Sequence, residues 1–330
     1  MVKLLQPRVT PLPTGIDLTG KTAVVTGASS GLGLELARQL LQMRASTVVL
    51  AVRNVAKGEA CAKDLLQDHE VQKLNPKPSI KVMELDMDRY DSVQQFAKQL
   101  RDEIPVVELL ILNAGISPVT LERSPNGHSR AVQVNYLSNV LLIAELLPHL
   151  QAGAEKTGSP ARISWVGSRM HESPSLEKKM PIKADEGVLE HLDKEETFVP
   201  FQHYGDSKLL CALFMYSLTP LLDPKKVVIN MVCPGMVDTA LSDGLPLHIR
   251  LVANAIKAIR ARAVDVGAWL ILNALLVEGP ESHGRFLGDK IIMEKAAFIE
   301  SPAGQEIQSK LWAETIAEMK TLVDLPVEYE

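Results

Sequence analysis

TAVVTGASSGLGLELARQLLQM, residues 22–43, decides how the rest of the chain is read. Thr22 to Thr26 is a short β-branched run, and beyond it Leu32, Leu36, Leu40 and Met43 recur at helical spacing. Between the two lies GASSGLG, residues 27–33, which puts three glycines where a strand gives way to a helix. Gly27 can turn the chain sharply, Gly31 lets backbone approach a pyrophosphate, and Gly33 lets the helix pack on a sheet, with Ser29, Ser30 and Leu32 completing the loop. The free N–H groups and the positive dipole end of such a helix suit phosphate. A plain strand-to-helix connection uses the same glycines, so other positions must decide.

The strand and helix alternation continues. TVVLAV (47–52), IKVMEL (80–85), ELLILN (108–113), ARISWVGS (161–168) and KVVINMV (226–232) read as strands, and helices are expected near 89–104, 129–150 and 204–222. NVAKGEACAKDLLQDHE and VDVGAWLILNALLV read as further helices, and GRFLGD as a last strand. This order predicts a doubly wound parallel sheet in an α/β fold, with helices on both faces.

At 330 residues the chain fits one continuous sheet with insertions. Hydrophobic residues at 46% and charged residues at 23% allow a large core. A formal charge of -5 lacks the basic field that sequence-independent nucleic-acid binding needs, so no nucleic-acid partner is expected. Cys61, Cys211 and Cys233 form no CxxC pair and the eight histidines show no ligand spacing, so neither disulfide nor metal is expected. The first residues lack the apolar stretch of a signal peptide and the longest apolar runs fall short of the roughly 20 residues that span a bilayer, so the expected location is cytoplasmic.

The end of the second strand bears on the cofactor. There an acidic side chain would take the ribose hydroxyls of NAD, and this chain has Arg53. A guanidinium matches a 2′-phosphate in charge and fork geometry, which favours NADP(H), whereas a merely solvated arginine would favour neither.

TGASSGLG, LDMD, LNAG, VNYLSN, a serine ending the fifth strand, YGDSK and CPGMVDT follow one another in that order. Over roughly residues 18–290 the chain thereby resembles the short-chain dehydrogenase/reductase family, with its single NAD(P)-binding Rossmann domain. The resemblance implies that Asp86 contacts the adenine amino group, that Met87, Asn113, Ala114, Gly115, Pro234 and Gly235 line the cofactor, and that Val237 and Thr239 stand against the nicotinamide amide. It also implies a catalytic set of Asn135, which would hold a water in a proton relay, Ser168, Tyr204 and Lys208. Tyr204 and Lys208, four apart on a helix, face the same way. Bringing a phenol from about pKa 10 to neutrality takes roughly 4 kcal/mol, which a cation about 4 Å away at effective dielectric 20 supplies. Tyr204 would then exchange a proton with a carbonyl or alcohol oxygen to which Ser168 also hydrogen-bonds. Ser168 is preferred to Ser164 because it falls at the C-terminal end of its strand.

Several segments depart from the shortest family members: an extension at 1–17, an insertion at 169–200 with a short helix around Glu186 to Leu192, a substrate lid at 236–265, and a C-terminal helix and tail at 300–330. The insertion resembles those of retinol dehydrogenase-like and carbonyl reductase-like members, where it can mask a tetramer surface; a monomer or homodimer is expected. His171 and His203 flank it and read as polar contacts outside the chemistry. The amphipathic stretch 245–262 suits a lid over an apolar pocket better than a helix lying on a membrane. The tail is closest to fungal short-chain reductases of specialised metabolism. The expectation is an NADPH-dependent reductase of an apolar small molecule; a cyclase, epimerase or isomerase on the same scaffold and a nucleotide-sensing binding protein are the alternatives.

Overall fold

The computed structural model describes residues 6–238, 250, 254, 257, 258 and 260–329. Thr239 and most of the amphipathic stretch 245–262 lie outside the described residues. Eight strands form one sheet in the order β3-β2-β1-β4-β5-β6-β7-β8. They are β1 (Thr22–Thr26), β2 (Thr47–Val52), β3 (Ser79–Glu84), β4 (Leu109–Leu112), β5 (Ala161–Val166), β6 (Val227–Cys233), β7 (Phe286–Gly288) and β8 (Ile291–Met293). All neighbours pair parallel except β7 and β8. After β1 the chain builds outward to β3 and then returns to the other side as β4. The crevice of a doubly wound sheet therefore opens at the C-terminal ends of β1 and β4.

The central parallel strands are mostly apolar and buried because both faces are covered, with Thr26, Ser164 and Asn230 as buried polar exceptions. Val24, Val49 and Ala51 join one core, while Ala23, Val25, Val48, Leu50 and Val52 join the other, the period-2 alternation of a strand. The helices are α1 (Gly31–Gln42), α2 (Val55–Gln67), α3 (His69–Leu74), α4 (Tyr90–Glu103), α5 (Arg130–Thr157), α6 (Ser175–Lys178), α7 (Val188–Asp193), α8 (Gln202–Leu218), α9 (Val264–Val277), α10 (Ala297–Glu300) and α11 (Pro302–Met319). Leu36, Leu40 and Leu272 seat α1 and α9 on one face; Phe96, Leu141 and Phe214 seat α4, α5 and α8 on the other.

Three expectations change. The run read as one helix after β2 is two, because Asp68 turns outward and its carboxylate accepts the Val71 N–H at 3.0 Å, capping α3. β8 had no sequence signal: Asp289 and Lys290, with φ of 52° and 64°, make a two-residue hairpin turn without the usual Asn-Gly pair. Finally, α5 is long and apolar enough to cross a membrane, since flanking residues extend the apolar run into one helix, but 89% of its most apolar window is buried inside the molecule. The short helix in the insertion is α7, and the expected C-terminal helix is α11.

Candidate active site

The glycine turn sits at the end of β1, with Gly27 at φ 67° and Gly31 at φ 52°, both in the left-handed region that glycine tolerates. A Cβ on Gly33 would run into the Gly27 carbonyl oxygen and lie 2.7 Å from Asn113 Nδ2. Only glycine lets α1 begin this close to the turn. Asn113 Nδ2 donates to the Thr26 carbonyl at 2.8 Å, and the Asn113 and Ala114 N–H groups each reach the Thr26 hydroxyl at 2.9 Å. Buried Thr26 thus joins LNAG to the glycine turn, a role hidden in a strand that reads simply as apolar.

Ser30 is the cap residue of α1, yet its side chain makes no cap hydrogen bond, and no acidic residue stands in the first turn. The exposed N-terminal amides and dipole are left for an anion. Ser29 is partly buried, its carbonyl accepting from Cys61 Sγ at 3.5 Å. Arg53 is exposed just past β2 and has no hydrogen bond or ion pair among the described residues. Its neighbour Asn54 caps α2 by accepting the Lys57 N–H at 2.9 Å, which turns the chain away and leaves the guanidinium at the sheet's C-terminal side. Asp86 follows β3 and caps its own turn, Oδ1 accepting the Asp88 N–H at 3.1 Å; the Met87 carbonyl takes the Ser138 hydroxyl at 2.6 Å. These positions suit a dinucleotide: a positive-φ cradle, unclaimed helix amides and a free cation at the second strand.

Gly115, Asn135 and Lys208 meet beyond β4. A Cβ on Gly115 would stand 3.1 Å from Asn135 Oδ1 and 3.5 Å from Lys208 Nζ. Asn135 lies in a π-helical turn, Gln133–Leu137, within α5, the kind of local bulge often found at functional sites. Its Oδ1 accepts the Ile116 N–H at 2.8 Å, while Nδ2 donates to the Ile116 carbonyl and the Ser207 hydroxyl, both at 2.9 Å. The side chain thereby clamps the backbone after LNAG to α8.

Ser168 and Tyr204 come together because α8 packs against the turn that follows β5. A Cβ on Gly205 would sit 2.8 Å from the Met170 carbonyl oxygen, so the glycine of YGDSK permits that approach. The Ser168 Oγ accepts the Met170 N–H at 3.2 Å. Burial pushes the Tyr204 phenol above its ordinary value, the Cys233 thiol adds to that, and the Ser168 hydroxyl pulls the other way. Ser164 is remote from this edge: it is buried mid-strand and donates to Asn230 Oδ1 at 2.6 Å.

Lys208 corrects the expected electrostatics. Burial lowers its own pKa, and Nζ donates to the Val166 carbonyl at 2.8 Å while lying 5.8 Å from the Tyr204 ring centroid. Held by the end of β5, the ammonium does not offset the burial that raises the phenol. Tyr204 is therefore protonated at neutral pH, the state of a proton donor.

The remaining parts are structural. The Asp206 carboxylate accepts the Ser175 N–H at 2.7 Å and the Ser175 hydroxyl at 2.6 Å, tying the insertion to α8; burial lifts its pKa to about 6. His171 Nδ1 donates to the Ser168 carbonyl at 2.7 Å and its ring packs on Phe286. His203 pairs with the Ser129 hydroxyl at 2.5 Å, and burial pushes its pKa down to about 4. Immediately before α8, Gln202 N–H reaches the Pro200 carbonyl at 2.8 Å across Phe201, whose φ is 63° and ψ -37°. A phenylalanine in this tight γ-turn is strained and yet 43% exposed.

On the far side, Pro234 and Gly235 end β6, with Gly235 at φ 77°. Val237 is buried, and a Cβ on Gly267 of α9 would lie 2.7 Å from it and 2.9 Å from Leu32. Gly267 lets the loop after β6 meet the glycine turn. Arg262, buried and unmarked by any motif, joins the Pro234 carbonyl at 3.2 Å and the Asp289 carboxylate.

The short chain dehydrogenase profile matches residues 21–175. The chain is 71% identical over 329 residues, 100% of both chains, to the short chain dehydrogenase yanD of Aspergillus niger. It is 63% identical over 328 residues, 99% of both, to the short-chain dehydrogenase/reductase tropG of Talaromyces stipitatus. Among solved structures, NADPH-bound carbonyl reductase from chicken fatty liver superposes with a TM-score of 0.62 at 19% identity, covering 84% of this chain and 100% of that one, a likeness of fold. Crevice, Tyr204-to-Lys208 pair and relatives agree: the chain belongs to the short-chain dehydrogenase/reductase family and is an oxidoreductase of that family.

Proposed function

We propose that this enzyme uses NADPH to reduce a ketone or aldehyde on an apolar small molecule, with Tyr204 as proton donor. The observation that carries this reading is the placement of the buried Tyr204 phenol beside the Ser168 hydroxyl at the C-terminal edge of β5, where burial favours the protonated form. Two O–H groups there can hydrogen-bond one carbonyl oxygen, and the phenol can deliver its proton as charge develops. The bound cofactor supplies the hydride. Lys208, next to Gly115 and Asn135, is positioned to hold the nicotinamide ribose; the amides of Gly31 to Gly33 would take the pyrophosphate, and Arg53 the 2′-phosphate. Met170, Phe201 and Met236 follow Ser168, precede Tyr204 and follow Gly235, and each is exposed by about two-fifths, between 41% and 43%. Exposed apolar side chains at these places favour an apolar substrate. Its high identity to short chain dehydrogenases from Aspergillus and Talaromyces supports a fungal enzyme, for which we propose a place in specialised metabolism.

Nicotinamide fluorescence titration tests the cofactor assignment. NADPH is expected to bind more tightly than NADH, and Arg53→Asp to reverse the order; equal or tighter binding of NADH by the wild type would sink the role given to Arg53.

A further inference from the structure

The loop that leaves β6 is held from an unexpected direction. Gln6 Nε2 donates to the Met236 carbonyl at 2.8 Å, and Gln6 Oε1 accepts the Met236 N–H at 2.9 Å. One side-chain amide thus satisfies both backbone groups of Met236, as a neighbouring strand would. The same Nε2 also reaches the Arg260 carbonyl at 2.6 Å. Outgoing and returning segments are paired there as well: Arg262 N–H donates to the Met236 carbonyl at 2.8 Å and Asp238 N–H to the Arg262 carbonyl at 3.1 Å.

Gly235 is shaped to this contact. Its φ of 77° excludes most side chains, and a Cβ would overlap Gln6 Oε1 and lie 2.8 Å from Arg262 Nη1. The arm is fastened beyond Gln6 too. Arg262 Nη2 donates to the Pro7 carbonyl at 3.0 Å and Lys290 Nζ to the Pro11 carbonyl at 3.1 Å, while Val9 and Leu12 pack on the core. Residues 6–13 have no regular secondary structure, and Pro7, Pro11 and Pro13 reduce the freedom lost when such a segment is ordered.

We propose that Gln6 is a positioning residue, and that the arm it belongs to latches the Pro234–Asp238 loop in its cofactor-facing conformation. The inference rests on the reading that this loop borders the nicotinamide. Its leverage comes from Val237, which meets Leu32 of the glycine turn over Gly267, so a shift at Met236 is passed to the cofactor cradle.

The test uses full-length Gln6→Ala and Gln6→Glu, with NADPH titration, amide hydrogen exchange and thermal melts. Losing three hydrogen bonds of modest net strength should raise the NADPH Kd of Gln6→Ala roughly tenfold. Exchange at Met236 and Asp238 should accelerate, while the melting midpoint falls by less than about 4 °C. Gln6→Glu keeps an acceptor for the Met236 N–H but loses both donations, and should fall between the two. An unchanged Kd in Gln6→Ala, with or without a lower melting midpoint, overturns the proposal and leaves the arm as packing alone. A wild type that does not bind NADPH overturns the cofactor reading instead, and faster exchange at Met236 in Gln6→Ala would still reveal the latch itself.

Discussion

Gly33 is the residue on which the cofactor cradle depends most closely. A methyl group there meets the Gly27 carbonyl, which is backbone, and the Asn113 amide, which is held by the Thr26 carbonyl. Gly33→Ala should cost roughly 1–3 kcal/mol in urea melts, the usual range for overpacking, and should weaken NADPH binding more than tenfold. A variant with wild-type stability would show that the turn can relax. At this scale the sequence was legible where the geometry is local: three glycines make the turn from β1 into α1, Arg53 lies just past β2, and Tyr204 and Lys208 lie on one helix. Lys208 was read less well. Its ammonium is claimed by the Val166 carbonyl 42 positions earlier, and no helical spacing discloses a partner on another element.

Among the elements, the insertion is fixed by charge rather than by apolar packing alone. His128, just ahead of α5, lies between Asp193 at the end of α7, 2.8 Å away, and Glu318 of α11, 2.9 Å away. Burial works to discharge the imidazole, but the two carboxylates outweigh it and raise its pKa to about 10. A group whose folded pKa is raised contributes stability that is whole below its ordinary value of about 6.5 and is lost as pH climbs through the folded value. Urea melts from pH 6 to 10 should therefore show falling stability. His128→Leu should lack that part of the slope and, with two carboxylates left uncompensated, lose roughly 3–5 kcal/mol at pH 6. Equal slopes in the two proteins would contradict the assignment. None of this was legible beforehand, because His128, Asp193 and Glu318 belong to three segments that share no motif. The central strands were legible since they are mostly apolar, whereas β8 was not, its exposed Ile291 and Ile292 following a turn without glycine.

For the molecule as a whole, the sheet order places the glycine turn, LNAG, Ser168 and the loop after β6 along one edge, and α8 carries Tyr204 to it. Gln6 and Arg262, more than 250 positions apart, close the far side, a long-range arrangement that a family motif does not encode. The central claim is that Tyr204 donates the proton in an NADPH-dependent reduction. Its most direct measurement is single-turnover reduction of an apolar aryl ketone by NADPH, with Tyr204→Phe compared against the wild type and NADPH affinity measured in parallel. The account predicts NADPH affinity within about threefold and a rate lowered roughly 10²- to 10⁴-fold, the span of general acid catalysis. Reduction by Tyr204→Phe at the wild-type rate would contradict it.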